Sequence, residues 1–297
     1  MGKILKIQRF CTDDGDGIRT TVFFKGCPLR CVWCHNPESQ KKESQIGFDP
    51  SRCVSCGRCV SVCEKGCHVI AGGRIFHREL CDGCGKCVSP VCEALELFGY
   101  EAEAEEIMDT VTRDKEFYAS SGGGLTLSGG EPLAQWQFAL EILTLAKANG
   151  INTAIETCGY GSSEAIDALL PYVDTFLYDI KEADDARHRE LTGVSNALIL
   201  ENLRCLSERG ARIVLRCPII PDLNDRDGHF AAIGELAELD GVIRVEVEPY
   251  HSFGEGKYGR LDMAYTLSGA KAPDDSAVEG YVKKISGSCK KPVIRLR

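Results

Sequence analysis

A strand, a helix and a second strand follow one another most clearly in residues 124–156, GLTLSGGEPLAQWQFALEILTLAKANGINTAIE. The short apolar run 124–128 is followed by residues 135–149, in which apolar side chains recur at helical spacing. Gly150 is a favourable end for that helix, and residues 151–156 form the next predicted strand. Strands that alternate with helices of this length predict a parallel sheet.

The same alternation extends through most of the chain and predicts the fold class. Helices are predicted over residues 102–118, 163–170, 196–209 and 227–239, and strands over residues 4–7, 21–24, 175–180, 212–217 and 242–248. About six strand–helix units predict an α/β fold with a partial (β/α)6 TIM-like barrel, whose active groups lie at the carboxyl ends of the strands. A Rossmann sheet is the alternative, although no G-x-G-x-x-G motif follows a strand here.

The cysteine content is the abnormal feature of the composition. Of 297 residues 17 are cysteines, and nine of these lie between Cys53 and Cys92. A disulfide framework suits short secreted chains, but this chain is long and its N-terminus lacks the apolar stretch of a signal peptide. We therefore expect a cytoplasmic metalloprotein. No run of eighteen apolar residues predicts a membrane span, and the net charge of −9 disfavours nucleic acid as a partner.

A first cysteine group has the spacing Cys27-x3-Cys31-x2-Cys34. A cubane 4Fe–4S cluster normally takes four thiolates. Three thiolates would leave one iron open, and an open metal position can bind and activate a ligand. A three-cysteine zinc knuckle and free thiols are the alternatives that the spacing leaves open.

Two longer groups follow, and their doubled spacing is typical of bacterial two-cluster ferredoxins, in which the fourth cysteine of each run ligates the other cluster. This pattern predicts one cluster on Cys53, Cys56, Cys59 and Cys92, and another on Cys81, Cys84, Cys87 and Cys63. Zinc sites also use C-x2-C pairs, but two runs of four cysteines fit them poorly. Cys67, four residues after Cys63, is an alternative fourth ligand.

The remaining cysteines and the domain division follow from these groups. Residues 46–98 are predicted to form a ferredoxin-like insert, and residues 1–45 and 99–297 the partial barrel. Five cysteines occur singly and are predicted to be small buried hydrophobic residues: Cys11, Cys158, Cys205, Cys217 and Cys289.

An ordered set of motifs in this chain resembles the motifs of the glycyl-radical-enzyme activating enzymes, a family within the radical S-adenosylmethionine (SAM) superfamily. Pyruvate formate-lyase activating enzyme is a member of that family. The insert resembles that of the longer members. Besides the first cysteine group, the matching motifs are Asp14-Gly15-Asp16-Gly17-Ile18-Arg19-Thr20, Cys34-His35-Asn36-Pro37-Glu38, Ser128-Gly129-Gly130-Glu131-Pro132, Asp179-Ile180-Lys181, residues 188–196 and Pro249-Tyr250-His251. One departure is Asp16, which stands where the family usually has proline.

The resemblance implies an oxidoreductase that cleaves SAM reductively to methionine and a 5′-deoxyadenosyl radical, which takes hydrogen from a backbone glycine of a partner glycyl radical enzyme. It implies three 4Fe–4S clusters (one that binds SAM and two auxiliary), SAM itself and a monovalent cation. Reduced ferredoxin or flavodoxin would donate electrons to a monomeric protein in an anaerobic cytoplasm. A radical SAM enzyme acting on a small molecule, or an iron–sulfur electron-transfer protein, is the alternative.

The resemblance also implies the site residues. Cys27, Cys31 and Cys34 would hold the SAM-binding cluster, and Trp33 and His35 would border the adenine. The other SAM-binding residues implied are Gly129, Gly130, Glu131, Glu156, Asp179, Ile180, Lys181, Arg216 and His251. Glu156, Thr157 and Asp179 would bind the monovalent cation, since hard oxygen ligands suit such an ion.

Overall fold

The structure is a computed structural model, and it describes residues 1–296. Its strands are β1 (Gly2–Cys11), β2 (Arg19–Phe24), β3 (Gln45–Phe48), β4 (His68–Ile70), β5 (Arg74–Phe76), β6 (Leu95–Phe98), β7 (Tyr100–Ala102), β8 (Gly124–Gly129), β9 (Asn152–Thr157), β10 (Thr175–Asp179), β11 (Ile213–Ile219), β12 (Val242–Pro249) and β13 (Val293–Arg295). Nine of these form one sheet, and β3–β6 and β4–β5 form two small antiparallel pairs.

Most helices connect successive strands of the large sheet along the chain. They are α1 (Arg58–Val62), α2 (Ala104–Val111), α3 (Lys115–Ser121), α4 (Trp136–Ala148), α5 (Ser163–Leu169), α6 (Asp185–Thr192), α7 (Ala197–Glu208), α8 (Asp227–Ala237), α9 (Glu255–Arg260) and α10 (Asp275–Ser286). Among the described residues, no helix is long and apolar enough to cross a membrane.

The strand order in the large sheet is β13-β12-β11-β10-β9-β8-β2-β1-β7. Seven consecutive strands, from β13 to β2, pair in parallel, whereas β1 is antiparallel to both β2 and β7. The predicted α/β fold with a mostly parallel sheet is thus confirmed. The topology is consistent with a partial barrel whose edge strands are β7 and β13.

The core lies between this sheet and the helices that connect its strands. Leu125, Leu127 and Ile155 are fully buried in neighbouring strands, as parallel sheets require. Helix α4 packs on the sheet through a buried face that includes Phe138. A Cβ at Gly2 would come within 1.9 Å of the Phe138 ring, so the first residue of β1 must be glycine.

The single helix predicted over residues 102–118 is wrong. The segment begins as β7 and continues as α2, a short 3-10 turn and α3. The break lies at Asp114, which is buried and accepts hydrogen bonds from Arg9 Nε (2.8 Å) and Thr20 Oγ1 (2.9 Å). Because these partners come from β1 and β2, local helical periodicity does not reveal the break. Helices α6 and α10 and strand β13 lie outside the predicted elements.

The cysteine-rich segment has its own small framework. Strands β3 and β6 pair in antiparallel register from Gln45–Phe98 to Phe48–Leu95, which brings both ends of the segment together. Ile46 and Leu95 pack there with Cys59 and Cys87. The division of the chain into a barrel and a ferredoxin-like insert stays a prediction.

His229 on α8 predicts how the stability of the fold depends on pH. Burial lowers its pKa to about 4, although Glu182 lies nearby, and Nδ1 accepts a hydrogen bond from the Ala183 N–H at 3.2 Å. The unfolded chain therefore binds this proton more tightly, so stability is lost as pH falls from about 6.5 towards 4. The full effect is about 3 kcal/mol, at about 1.4 kcal/mol for each pKa unit.

We expect the H229Q variant to lose less thermal stability than the parent protein over that pH range. Anaerobic thermal unfolding at stepped pH values measures this difference. Glutamine retains an acceptor for the Ala183 N–H but cannot titrate. Equal acid sensitivity of the two proteins would contradict the assignment.

Candidate active site

A cavity of about 440 Å³ opens at the carboxyl ends of the parallel strands. Thirteen of the predicted site residues line it: Cys27, Cys31, Trp33, Cys34, His35, Gly129, Gly130, Glu156, Thr157, Asp179, Lys181, Arg216 and His251. These residues come from positions up to 224 apart in the chain, and the parallel sheet brings them together because its strands end at one edge. Glu131 and Ile180 do not line the cavity.

The three-cysteine loop follows β2 and is held by backbone hydrogen bonds. Gly26 N–H donates to the Ser39 carbonyl (2.6 Å), and Cys27 N–H donates to that of Gln40 (3.1 Å). On its other side, the N–H groups of residues 30 and 32 donate to carbonyls of Thr192 and Leu191, at the end of α6. The loop is thereby attached to both the chain that follows it and a distant helix.

The thiols of this loop have the chemistry of metal ligands. Burial raises the pKa of Cys27 and of Cys31 to about 12, so both are protonated unless a metal ion replaces the proton. No three His, Cys, Asp or Glu side chains of residues 1–296 converge closely enough to bind one metal ion. In a cubane each thiolate binds a different iron, so the sulfurs need not converge on one atom. The residues present fit such a cluster.

Gly129 and Gly130 allow the end of β8 to cross closely over this loop. Gly129 has φ 105°, and a Cβ there would lie 2.4 Å from the backbone nitrogen of Phe24. A Cβ on Gly130 would lie 2.3 Å from the Gly26 carbonyl oxygen. Both glycines are therefore required by the packing of the backbone itself, besides any approach to a ligand.

Arg216 on β11 organises the carboxylates at the floor of the cavity. Its guanidinium lies 2.7 Å from Glu156, 3.1 Å from Glu246 and 3.7 Å from Glu248. It also donates to the carbonyl oxygen of Asp13 in the β1–β2 loop. Through these ion pairs and hydrogen bonds, Arg216 holds the acidic side chains in place. Arg216 also lines the cavity, and its contact with SAM stays a prediction.

The same charges set the protonation of the floor. Burial opposes ionisation of Glu156, but Arg216 outweighs it and holds the pKa of Glu156 below its ordinary value. Burial raises the pKa of Glu248 to about 8 and also raises that of Asp179, despite the Lys181 ammonium 2.9 Å away. The cavity thus presents one lysine and a mixture of ionised and protonated carboxyl groups.

Stacked aromatic rings form another wall. The rings of His35 and His251 are parallel within 19° with centroids 4.0 Å apart, and His35 Nε2 lies 2.9 Å from the carbonyl oxygen of His251. Burial lowers the pKa of His35 to about 4 and also lowers the pKa of His251, so burial favours the uncharged form of both rings. Trp33 is buried with Tyr250 and other apolar residues, and much of its ring serves packing.

Comparison with known proteins identifies the family. The model of the radical SAM superfamily matches residues 21–232. The chain belongs to the radical SAM superfamily.

Its relatives narrow the assignment within the superfamily. The chain is 44% identical over 270 residues to the isethionate sulfite-lyase activating enzyme of Nitratidesulfovibrio vulgaris, covering 88% of each chain. It is 42% identical over 287 residues to the choline trimethylamine-lyase activating enzyme of Oleidesulfovibrio alaskensis, covering 93% of this chain and 92% of the relative. This radical SAM protein is thus a member of the glycyl-radical-enzyme activating enzymes, as its motifs predict.

A solved structure supports the fold. A radical SAM methyltransferase from Sphaerobacter thermophilus superposes with a TM-score of 0.56 and 12% identity, covering 98% of this chain and 76% of the other. The family implies a 4Fe–4S cluster and SAM, and the cavity with its three half-buried thiols suits them.

Several residues that line the cavity of this radical SAM protein are not among its predicted site residues, although two of them, Asp14 and Tyr250, stand in the quoted motifs. Asp13, Asp14 and Phe23 reach the cavity from the β1–β2 region, and Glu248 and Tyr250 reach it from the end of β12. A usable signal existed for Glu248, because it ends a predicted strand, as Glu156 and Asp179 do. Cys158, predicted to be a small buried residue, is buried but also lines the cavity, directly after Thr157.

Glu131 and Ile180 lie behind the cavity wall. The Glu131 carboxylate accepts hydrogen bonds from Leu133 N (3.0 Å), Thr157 Oγ1 (2.6 Å) and Cys158 N (2.8 Å). It is 1% exposed, and it joins the end of β8 to the end of β9. The structure therefore argues against a direct contact between Glu131 and the SAM amino group. Ile180 packs in the main core, so its side chain does not face the cavity either.

This placement predicts the effect of the E131Q substitution. The amide nitrogen of the glutamine would face one of the groups that now donate to the Glu131 carboxylate, and that hydrogen bond would be lost. We expect the free energy of unfolding to fall by about 1–3 kcal/mol, the usual cost of an unmade buried hydrogen bond. The KM for SAM should change less than about threefold, since the side chain does not reach the cavity. Anaerobic unfolding and SAM-cleavage kinetics measure the two effects. Unchanged stability with a raised KM would instead support a ligand role.

Proposed function

We propose that this enzyme installs a glycyl radical on a partner enzyme, using SAM bound in the cavity of about 440 Å³. The observation that carries the proposal is the convergence of the three cysteines, the glycine pair and the Asp179–Lys181 pair in that one cavity, in a chain that matches activating enzymes over most of its length. When bound, a reduced 4Fe–4S cluster supplies the electron that cleaves SAM to methionine and a 5′-deoxyadenosyl radical, which removes hydrogen from the partner's glycine.

The residues of the chain would bind and orient the cofactors. Cys27, Cys31 and Cys34 would hold three irons and leave the fourth for the methionine end of SAM. Lys181 would supply the positive charge for its carboxylate, and the Gly129–Gly130 backbone would let the amino group approach without an intervening side chain. We retain Glu156, Thr157 and Asp179 as the ligands of a monovalent cation.

The partner is proposed to be a glycyl radical enzyme that eliminates a group from a small substrate. Relatives at 41% to 44% identity are named for activating isethionate sulfite-lyase, choline trimethylamine-lyase and (2S)-3-sulfopropanediol sulfolyase. A dehydratase activator from Clostridioides difficile is 38% identical over 281 residues. These enzymes provide the first partners to test.

The cysteine-rich segment is proposed to bind two auxiliary 4Fe–4S clusters that relay electrons from ferredoxin or flavodoxin. Cys63, Cys81, Cys84 and Cys87 line a second cavity, of about 60 Å³. They are the four ligands that the crossed ferredoxin pattern predicts for one cluster. Cys59 and Cys87 also share one small core, which supports proximity of the two runs.

A comparison of the parent protein with the C34A variant tests the main proposal. We expect reduced parent protein to form 5′-deoxyadenosine from SAM and to produce a glycyl radical signal on a partner in electron paramagnetic resonance. C34A should cleave SAM at least 100-fold more slowly than the parent protein, because it lacks one cluster ligand. This decrease corresponds to about 2.7 kcal/mol of transition-state stabilisation. C205A is the matched control, because Cys205 lies on α7 and does not line the cavity.

Equal cleavage by C34A and the parent would refute the assignment of the cluster. Cleavage without a glycyl signal on any tested lyase or dehydratase would favour a small-molecule substrate instead.

Iron content tests the auxiliary clusters separately. We expect about twelve irons per chain in anaerobically reconstituted protein, because three cubanes hold four each. Chelation of the metal should abolish SAM cleavage and lower the thermal midpoint of the protein. About four irons together with bound zinc would refute the two auxiliary clusters while leaving the SAM site intact.

A further inference from the structure

The cavity of about 60 Å³ in the cysteine-rich segment contains one cysteine more than a cluster needs. Five cysteines line it: Cys63, Cys67, Cys81, Cys84 and Cys87. A 4Fe–4S cluster takes four thiolates. One of the five must therefore lie beside the cluster without binding iron, and the candidates are Cys63 and Cys67, because the other three form the C-x2-C-x2-C run.

The backbone around Cys63 favours this residue as the ligand. Cys63 follows the last residue of α1, and its Sγ accepts a hydrogen bond from the backbone N–H of Cys67 at 3.3 Å. Gly66, with φ 64°, closes the turn between them, and its N–H donates to the Cys63 carbonyl (3.1 Å). An N–H group directed at a sulfur stabilises negative charge on it, which is what a ligating thiolate carries.

Cys67 is held beside that sulfur by the rest of the segment. It is 1% exposed, it precedes β4, and its carbonyl accepts a hydrogen bond from His77 N–H at 2.7 Å. Its side chain lines the same cavity as Cys63 and Cys81, so its sulfur lies among the predicted ligand sulfurs. Within residues 1–296, no backbone N–H donates to the sulfur of Cys67, whereas one donates to the sulfur of Cys63.

We propose that Cys63 is the fourth ligand of the cluster on Cys81, Cys84 and Cys87, and that Cys67 is a non-ligating thiol whose S–H donates to a ligand sulfur. Hydrogen bonds to cluster sulfurs raise the reduction potential, because they stabilise the more negative reduced state. Cys67 is thus a positioning residue that makes this cluster easier to reduce. The inference rests on the proposed auxiliary clusters.

The experiment compares C67A, C67S and C63A with the parent full-length protein, all reconstituted anaerobically. Iron per chain is counted, and the auxiliary clusters are followed by electron paramagnetic resonance during redox titration. C205A is the control for the loss of a cysteine elsewhere. We expect C67A to retain about twelve irons and C63A to lose about four.

The potential provides a second, independent measurement. We expect C67A to lower one auxiliary midpoint so that the reduced-to-oxidised ratio at a fixed poise falls about tenfold, which is about 59 mV for a one-electron couple. C67S should remain close to the parent, because a hydroxyl also donates. If C67A does not fold, C67S and C63A still distinguish the two ligand assignments by their iron content.

Other outcomes would overturn the inference. Loss of about four irons in C67A or C67S with full retention in C63A would make Cys67 the ligand, and an unchanged potential in C67A would remove its proposed role. A parent protein with only about four irons would overturn the auxiliary clusters themselves. Twelve irons without SAM cleavage would instead count against the proposed activity and leave the Cys67 result valid.

Discussion

The buried carboxylate of Glu131 is the interaction on which the geometry of the active cavity depends. Its oxygens accept hydrogen bonds from the end of β9, through Thr157 and Cys158, while its own N–H donates to the Gly26 carbonyl at 2.9 Å. One residue therefore connects β8, β9 and the start of the cysteine loop. Burial raises the pKa of this carboxyl. The hydrogen bonds that it accepts offset the free-energy cost of burying it. These bonds hold the glycine pair in place relative to the cysteines, and an isosteric glutamine, which keeps the shape of the side chain, would preserve that arrangement.

A second constraint is the charge balance at the cavity floor. Arg216 is 2% exposed and neutralises carboxylates from β9 and β12, so it links β9, β11 and β12 to one another and to the Asp13 carbonyl. A buried ion network of this kind contributes little net stability, because desolvation offsets the attraction. Its value is that it holds acidic groups at defined places beside Lys181. The floor can then offer oxygen ligands and one ammonium within the same cavity.

Much of the fold could be predicted from local patterns. Strand β8, helix α4 and strand β9 lie within one or two residues of their predicted bounds, because their apolar periodicity and the terminal Gly150 are encoded in adjacent residues. The region before Ser121 was predicted less well. Its break depends on Asp114 meeting Arg9 and Thr20 from distant strands, and no local signal marks that contact.

The site shows the same division. The sequence by itself determined which residue types meet at the strand ends: three closely spaced cysteines, a glycine pair and charged residues, each readable from its spacing or motif. Only the tertiary structure decided which of them face the cavity. Glu131 belongs to a quoted motif yet is turned inward by three hydrogen bonds, Glu248 reaches the cavity from β12, and Cys67 lies beside Cys63 across a tight turn. Spacing determines what can be close along the chain, whereas the direction of a side chain follows from backbone partners that are distant in sequence.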